Sequence, residues 1–561
     1  MPETAAKAEP PAPVGVGGRL PRYDRLFAVL LVVITILAYL PVWQAGFIWD
    51  DDTLLLDNSA IKTAGGLAQL WARDFPLATT SLWVEWRLWG ANPLGYHVAN
   101  VLLHALSTVL LWRVLRRLSI PGAGLAAAIF AVHPVNAESV AWISERKNTL
   151  CMVFYLLSLL LYLRSDREEP ERVSRRPLLA YWLSVAMFEL ALLSKTAVAP
   201  LPVVLLVLAW WQQGRLRLKD LWRAAPFFAL GAAAGLMSVW FQTHQAIGAS
   251  MLDVRADSFW ARLAGAGWAI WFYLYKALLP LGLSFIYPRW QIDPTHALSY
   301  LPTLLVLVTL LIFWCYRRTW GKALLLSFAY FVLMLLPILG FVSIYFMRYS
   351  LVADHWQYFA VIGPIAMVSA LLTLGVRKVA ASPAWLGPVA GGALVLALGL
   401  LTWREALTYR SLKTLWTATV ARNPTAGIAH NNLGTILLAE GKVDEAIAHF
   451  QRAVALQPNA ADAYSNLGGA LLEKGRVEEA VLQLRKAVQI QPDAANAQIN
   501  LGNALARQGQ FDEAVAHLRE ALRLHPEHPG PHYNLGNILL VAVGPRTPEI
   551  YAKCSITRRS T

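Results

Sequence analysis

Residues 26–52 read LFAVLLVVITILAYLPVWQAGFIWDDD, an apolar run that ends shortly before three consecutive carboxylates. The apolar part is long enough to cross the roughly 30 Å hydrocarbon core of a bilayer as a helix. Charged groups at a membrane boundary are costly unless they are solvated or used. The stretch therefore predicts a membrane helix with an acidic cluster, Asp50, Asp51 and Asp52, at its mouth.

The composition of the whole chain is that of an integral membrane protein. Its 561 residues are 57% hydrophobic with a mean hydropathy of +0.44, which is more apolar surface than one soluble core needs. The first run lies where a signal peptide would, but it lacks an early small-residue cleavage site and is too long, so we interpret it as an anchor. The three cysteines have neither a disulfide framework nor a metal-ligand spacing.

The net charge of +14 is explained by the Lys and Arg residues that set the orientation of membrane helices. It gives no reason to expect nucleic-acid binding. Lys and Arg cluster in short loops, and cytoplasmic loops carry the excess of these residues. Residues 1–25 are the predicted cytoplasmic tail, and about 11 spans within 26–402 place the basic clusters inside. This count leaves 46–96 as an external loop. It also requires the run 268–283 to be re-entrant or to lie along the membrane surface.

A strict sequence period begins after the hydropathy falls at Trp403. The triplet Asn-Leu-Gly recurs in steps of 34 residues, at 432–434, 466–468, 500–502 and 534–536, and prolines keep the same step. A 34-residue unit with Gly at a turn and Pro after the second helix resembles the tetratricopeptide repeat. We predict a linker helix at 403–424, about 3.5 repeats at 425–541, and an irregular tail at 542–561 without a capping helix.

The predicted fold class is all-α: a polytopic transmembrane helical bundle followed by a tetratricopeptide-repeat α-solenoid. The asparagine of each triplet lies on the first helix of its repeat and offers one donor and one acceptor to the backbone of an extended peptide. The array resembles the repeats of O-GlcNAc transferases, where such a ladder holds peptide, although their catalytic domain is absent from this sequence. The alternative is that these side chains are solvated or pack between helices. The predicted acceptor-binding residues are Asn432, Asn466, Asn500 and Asn534.

By the same span count, the acidic cluster shares the non-cytoplasmic face with the repeats and with polar residues of several other loops. Polar residues that converge from separate helices form a pocket more often than they face lipid. Plainer interpretations exist: the acidic cluster is solvated or caps a helix, the histidines pack, and Glu138 and Glu145 pair with Arg146 and Lys195. Three acids also suit a divalent ion, Mg²⁺ or Mn²⁺.

Several motifs together carry a family resemblance. They are Phe47-Ile-Trp-Asp50-Asp51, Gly95-Tyr96-His97 with Asn100 and His104, His133-Pro134 through Glu138, Ser194-Lys195, and the attached repeats. Over residues 26–540 the chain resembles the GT-C glycosyltransferases, and more narrowly the transmembrane and tetratricopeptide-repeat O-mannosyltransferase family and its bacterial relatives. The resemblance implies a polyprenyl- or dolichyl-phosphate sugar as cosubstrate and transfer outside the cytoplasm. It does not specify the sugar.

The chemistry of such a transfer assigns roles to the candidate residues. Asp50 or Asp51 is the predicted catalytic base, because inverting transfer to a hydroxyl needs a carboxylate that accepts the proton. Cations around the departing phosphate stabilise its charge, and the predicted set is Arg146, Lys147, Lys195 and Arg348. The predicted substrate pocket contains Trp49, Asp52, His97, His133, Glu138, Trp142, Tyr287 and Asp354. The identity of the base is open because the acidic run has a third member, and His355 stands where the family pattern leads us to expect an arginine-like cation.

The sequence thus predicts a membrane glycosyltransferase that modifies Ser or Thr hydroxyls of an extracytoplasmic protein or peptide held by the repeat groove. The expected location is a bacterial inner membrane, with the N-terminus cytoplasmic and the repeats outside. One alternative is a non-catalytic membrane scaffold for envelope or pilus assembly. A second alternative, a transporter of lipid-linked sugars, would predict paired charges within helices and repeated halves, and the sequence has neither.

Overall fold

The computed structural model describes residues 22–166, 176–246, 257–378, 383 and 385–543. Within these ranges the chain is helical and contains no strand, so the predicted all-α class is confirmed. The long helices of the N-terminal bundle are Arg22–Ala38, Pro93–Arg117, Ala123–Ala131, Arg146–Ser165, Arg176–Ser194, Leu201–Gln213, Leu218–Phe241, Phe259–Leu278, Leu301–Cys315, Gly321–Leu335, Ile362–Lys378 and Leu386–Thr408.

The helices of the bundle make the chain a membrane protein. Eight helices in the described ranges are long and apolar enough to cross a bilayer. Three other helices of the bundle are shorter, namely Arg22–Ala38, Ala123–Ala131 and Ile362–Lys378, and the predicted count is about 11 spans. The number of crossings stays a prediction.

The run 268–283 begins within a helix, Phe259–Leu278, and continues into an irregular segment. The ring of Phe259 contacts that of Phe341, and Phe285, seven residues beyond the other end, contacts Trp49. This helix is not among the eight described helices that are long and apolar enough to cross a bilayer. The surface or re-entrant placement of the run stays a prediction.

The loop 46–96 is folded through short helices, Ser59–Lys62, Leu67–Trp71 and Pro76–Trp89. Its own small core of Leu55, Ile61, Leu70 and Leu82 is closed by Ile143 from the bundle. The guanidinium of Arg87 donates to the carbonyl of Ile61 at 2.9 Å. The loop is therefore anchored to the bundle, which gives the acidic cluster a defined position.

The repeats form antiparallel helix pairs, as predicted from the period. The pairs are Gly427–Ala439 with Val443–Leu456, Ala461–Glu473 with Val477–Ile490, and Ala495–Arg507 with Phe511–Leu524, followed by Pro529–Val543. A Cβ atom on Gly468 would lie 2.4 Å from the Leu484 side chain, so only glycine admits the second helix at this distance. Gly475 has a φ of +77° at the turn between these helices, a conformation that glycine adopts without strain.

The junction between the two domains differs from the single predicted linker helix at 403–424. The last bundle helix continues to Thr408, and a separate helix, Leu412–Arg422, leads into the first repeat. The guanidinium of Arg422 binds the carboxylate of Glu405 through two hydrogen bonds of 2.7 and 2.9 Å. Such paired bonds fix an orientation as well as a distance. Most of the predicted N-terminal and C-terminal tails lies outside the described residues.

Candidate functional site

The second acid of the cluster, Asp51, holds the loop to the bundle. Its carboxylate accepts hydrogen bonds from the backbone N–H of Ile48 at 2.9 Å, and from the N–H and hydroxyl of Ser144 at 2.9 and 2.6 Å. The side chain is buried, and burial, followed by the negative charge of Asp50, raises the pKa of Asp51 to about 8. Asp51 does not line either of the two cavities that adjoin Asp50. Its hydrogen bonds to Ile48 and Ser144 therefore indicate a structural role.

Replacing Asp51 by Ala is expected to lower the free energy of unfolding by about 1–3 kcal/mol, because the buried donors of Ile48 and Ser144 lose their acceptor. Thermal unfolding of the detergent-solubilised protein measures this loss. Ser144→Ala, which removes only the hydroxyl donor and leaves the backbone N–H groups of residues 48 and 144 paired with Asp51, is the control and should be milder. A melting temperature of Asp51→Ala equal to that of the unmodified chain would contradict the structural role.

The first acid, Asp50, faces two cavities at once. Each cavity has a volume of about 500 Å³, and both are also lined by Trp49, Tyr345 and Tyr349. The Oδ1 atom of Asp50 is buried, and no described residue hydrogen-bonds to it. Burial raises the pKa of Asp50, whereas the charge of Lys147 lowers it in part. A buried acceptor without a protein partner is suited to bind a donor that comes from a substrate.

One of these two spaces, the cation cavity, contains two ammonium groups. Lys147 and Lys195 lie 2.8 and 3.4 Å from the two oxygens of Glu145, and all three residues line the cavity with Trp142. Burial lowers the pKa of Lys195, and the charge of Glu145 opposes that effect. Each ammonium has three donors, so both can bind an anion while they remain paired with Glu145.

His355 completes the wall of the cation cavity. Its Nδ1 lies 2.9 Å from Oε1 of Glu138 and its backbone N–H donates to Oε2 at the same distance, which fixes the ring. The Nε2 atom lies 3.9 Å from Glu145. The position that departs from the family pattern thus faces the same space as the lysines. The carboxylate of Glu138 is used to orient His355.

Two of the four predicted phosphate ligands lie elsewhere. The guanidinium of Arg146 is buried and binds Glu85, Asn100 and the carbonyl of Tyr96, so it braces the helix Pro93–Arg117 against the loop helix Pro76–Trp89. Arg348 donates to the hydroxyl of Tyr345 at 3.0 Å. Neither arginine lines the cation cavity. Arg146 and Lys147 are adjacent at the start of the helix Arg146–Ser165, and the turn of this helix points Lys147 into the cation cavity and Arg146 away from it.

The other predicted pocket residues are divided between the cavities and their surroundings. Trp49 and Trp142 line the cation cavity, whereas Asp354 lies behind it and accepts bonds of 3.0 and 2.9 Å from the hydroxyl of Tyr287. Burial and the nearby charge of Glu138 raise the pKa of Asp354 well above its usual value.

The two predicted histidines and the third acid are also away from the cavities. His133 binds the carbonyl of Ala277 at 3.0 Å through Nε2, and His97 is buried in the bundle. Asp52 begins the short helical turn Asp52–Leu56 and is partly exposed. The three acids of the cluster therefore point in different directions. In the described part of the chain, no group of three or more metal-ligating side chains is arranged to hold a cation, and binding of Mg²⁺ or Mn²⁺ stays a prediction.

The second space, the junction cavity, opens between the two domains. Asn432 of the first repeat lines it together with Asp50, Thr53, Leu412 and Trp416. The later asparagines link neighbouring repeats, since the amide of Asn466 donates to Asn431 at 3.0 Å, that of Asn500 to Ser465 at 3.3 Å, and that of Asn534 to Asn503 at 2.6 Å. Their amide nitrogens thus pack between helices, as the alternative interpretation expected.

Several residues of the site were not among the predicted site residues. They are Thr53, Glu145, Tyr345, Tyr349, His355 and Trp416. Glu145 had a usable signal, because an acid next to two basic residues in a predicted external turn indicates an ion-pair network. The aromatic residues had none, since Trp and Tyr are common at every membrane interface.

The C-terminal domain matches known protein-family models. Tetratricopeptide-repeat family models match residues 410–460, 431–495 and 502–540. The C-terminal domain is a tetratricopeptide-repeat domain. Solved structures similar to it include MamA from Desulfovibrio magneticus (24% identity, 28% of this chain and 86% of the other, TM-score 0.25) and an Arabidopsis OM64 repeat domain (23%, 20% and 93%, TM-score 0.20).

The chain is also similar to proteins that are named protein O-mannosyl-transferases, which is the family that the sequence motifs resemble. It is 37% identical to the protein O-mannosyl-transferase Tmtc1 of Drosophila melanogaster over 143 residues, covering 22% of this chain and 17% of the relative. It is 30% identical to human protein O-mannosyl-transferase TMTC4 over 193 residues, covering 29% and 26%. The matches span about a quarter or less of these relatives. The predicted resemblance of this chain to the transmembrane and tetratricopeptide-repeat O-mannosyltransferase family is confirmed.

Proposed function

We propose that this chain transfers a sugar from a polyprenyl-phosphate donor to a Ser or Thr hydroxyl of a protein on the non-cytoplasmic face of a bacterial inner membrane. The N-terminus is then cytoplasmic. The observation that carries the proposal is that Asp50 lines both the cation cavity and the junction cavity. A carboxylate at the contact of two cavities is placed to act on an acceptor in one and a donor in the other. The similarity to named protein O-mannosyl-transferases supports the reaction class.

The cation cavity takes the donor phosphate in this proposal. Lys147 and Lys195 are held on one carboxylate, with side chains 23% and 11% exposed. Their ammonium groups bind the phosphate as point charges and stabilise the charge that collects on it as the bond to the sugar breaks. Trp142, which lines the same cavity, offers a flat apolar face to the sugar ring.

The reaction is a single displacement at the anomeric carbon. The acceptor oxygen forms a bond to this carbon while the bond to the phosphate oxygen breaks, and the polyprenyl phosphate leaves with the electron pair. Asp50 accepts the proton of the acceptor hydroxyl at its Oδ1 atom, which has no described protein partner. One displacement gives inversion. Because the phosphate is already a good leaving group, no second carboxylate is needed.

The acceptor segment enters through the junction cavity. Asn432 and Asp50 both line this cavity, so the first asparagine of the row and the proposed base share one space. The side-chain oxygens of the asparagines accept hydrogen bonds from a peptide backbone regardless of its side chains. The Ser or Thr of the acceptor segment then lies next to Asp50, where the groove of the repeats meets the junction cavity.

Mass spectrometry of envelope proteins tests this function, because it reports sugar and acceptor together. The comparison uses cells that contain the unmodified chain and cells that lack it. We expect glycopeptides with a hexose on Ser or Thr that disappear without the chain and return when it is resupplied. Identical glycopeptides in both cells, with altered envelope assembly, would favour the scaffold alternative.

The pH dependence of transfer is a further prediction. Asp50 must be ionised to accept a proton, and burial raises its pKa, so transfer is expected to rise with pH through this raised pKa and to be lost below it. Burial lowers the pKa of Lys195, so activity should fall again at alkaline pH. The measurement is kcat against pH, with circular dichroism as the control for folding. A pH-independent rate would contradict the role of Asp50.

A further inference from the structure

The residue before the base has an unusual backbone conformation. Trp49 has a φ of +51°, and among the described non-glycine residues only Phe75 and Ser119 also have positive values. A bulky side chain in this region is strained and persists only where its surroundings hold it. Because Asp50 follows directly, the conformation of Trp49 sets the direction in which the carboxylate points.

The contacts that hold Trp49 come largely from another part of the chain. Its ring lies 4.8 Å from that of Trp416, 5.2 Å from Phe285 and 5.6 Å from Tyr349. Trp416 is 2% exposed and belongs to the helix Leu412–Arg422, which connects the bundle to the first repeat. The closest ring to the strained residue is therefore supplied by the repeat side of the molecule.

A second contact fixes the same loop to the same connection. The backbone N–H of Gly46 donates to the carbonyl of Arg410 at 3.0 Å, and the guanidinium of Arg410 donates to Gln44 at 3.0 Å. Trp416 also lines the junction cavity with Asn432 and Asp50. The acceptor groove, the connecting helix and the base thus share one packed unit.

We propose that Trp416 is a positioning residue: it holds Trp49 in the left-handed conformation and so aims Asp50 at the acceptor. The repeat domain then does more than collect substrate, because its connecting helix sets the geometry of the base. This inference rests on the proposed function for its effect on transfer. Its structural part, the ordering of the loop by Trp416, is independent of that function.

Replacing Trp416 by Ala in the full chain tests the positioning role. A misplacement of about 1 Å at a reacting group can cost about 100-fold, so kcat is expected to fall by about that factor, with KM for the lipid donor unchanged. Trp416→Phe, which keeps a ring, should retain most of the rate. Leu482→Ala is the matched control, since Leu482 is 67% exposed on a repeat helix. A Trp416→Ala variant with unchanged kcat would overturn the inference.

Hydrogen exchange of residues 46–56 gives a readout that does not need activity. The N–H of Asp51 donates to the carbonyl of Ile48, and that of Leu54 to Asp50. We expect these amides to exchange faster in Trp416→Ala than in the unmodified chain or in Leu482→Ala, while the repeat helices exchange as before. Unchanged exchange overturns the inference. If the unmodified chain transfers no sugar, the proposed function fails, and the exchange comparison alone decides on Trp416.

Discussion

Replacing Asp50 by Asn is expected to lower the rate of transfer by about 10²–10⁴-fold, the range that a general base contributes. The amide has nearly the shape of the carboxylate but cannot accept the proton of the acceptor hydroxyl. Oδ1 of Asp50 has no hydrogen-bond partner among the described residues, and the amide oxygen of Asn can still accept from the neighbouring side chains of Ser144 and Trp142. The melting temperature and the affinity for the lipid donor should therefore change little. The measurement is kcat together with donor binding and thermal unfolding.

The matched control is Asp52→Asn. Asp52 is two positions away, carries the same charge and lines neither cavity, so its removal should leave kcat within a few-fold of the unmodified chain. Equal losses in both variants would show that the charge of the acidic run, not a base at Asp50, is responsible. An Asp50→Asn variant with full activity would refute the role of this carboxylate.

Replacing Glu145 by Ala is expected to have the largest effect on stability. Glu145 is completely buried and pairs with both Lys147 and Lys195. Removing one partner of a buried ion pair leaves uncompensated charge and costs about 3–5 kcal/mol. The partial exposure of Lys147 screens that charge, so we expect a loss at the lower end of the range. Thermal unfolding in detergent measures it.

A surface pair supplies the control for Glu145. Lys413 on the connecting helix and Glu440 of the first repeat form an ion pair of 2.8 Å, and both side chains are at least one-third exposed. Exposed pairs contribute little to stability, so Glu440→Ala should melt close to the unmodified chain. If Glu145→Ala also melts like the unmodified chain, the two lysines do not depend on this carboxylate, and the description of the cation cavity is wrong.

The repeat domain could be predicted from the sequence because its contacts are local. The glycines of the first three Asn-Leu-Gly triplets pack within their own repeats, Gly434 against Phe450, Gly468 against Leu484 and Gly502 against Leu518, so the same contact recurs every 34 residues. A repeated short-range contact leaves a period in the sequence. The membrane bundle leaves only apolar runs, which indicate that helices exist but not how they pack.

The site could be predicted only in part for the same reason. Adjacent residues diverge in space: Asp50 faces the cavities while Asp51 binds the backbone of Ile48, and Lys147 faces the cation cavity while Arg146 binds Asn100. A rotation of about 100° per residue along the helix separates Arg146 from Lys147, and a turn after the positive φ of Trp49 separates Asp50 from Asp51. No pattern in the sequence states which neighbour points inward.

The contact of Trp416 with Trp49 joins positions that are far apart in the chain. Such a pair has no signal in a single sequence. The structure brings them together because the connecting helix folds back over the loop 46–96, where Gly46 donates to Arg410. Asp50 and the first repeat are thus linked by packing that only the fold reveals.

The most direct test of the central claim uses the purified full chain in liposomes with a polyprenyl-phosphate sugar and a Ser/Thr peptide. Polyprenyl-phosphate mannose is the first donor to try, since the named relatives are O-mannosyl-transferases. We predict that labelled sugar appears on the peptide with inverted anomeric configuration, and that one polyprenyl phosphate is released per sugar transferred. A folded chain that binds the peptide but transfers no sugar from any polyprenyl-phosphate donor would contradict the account and favour a scaffold.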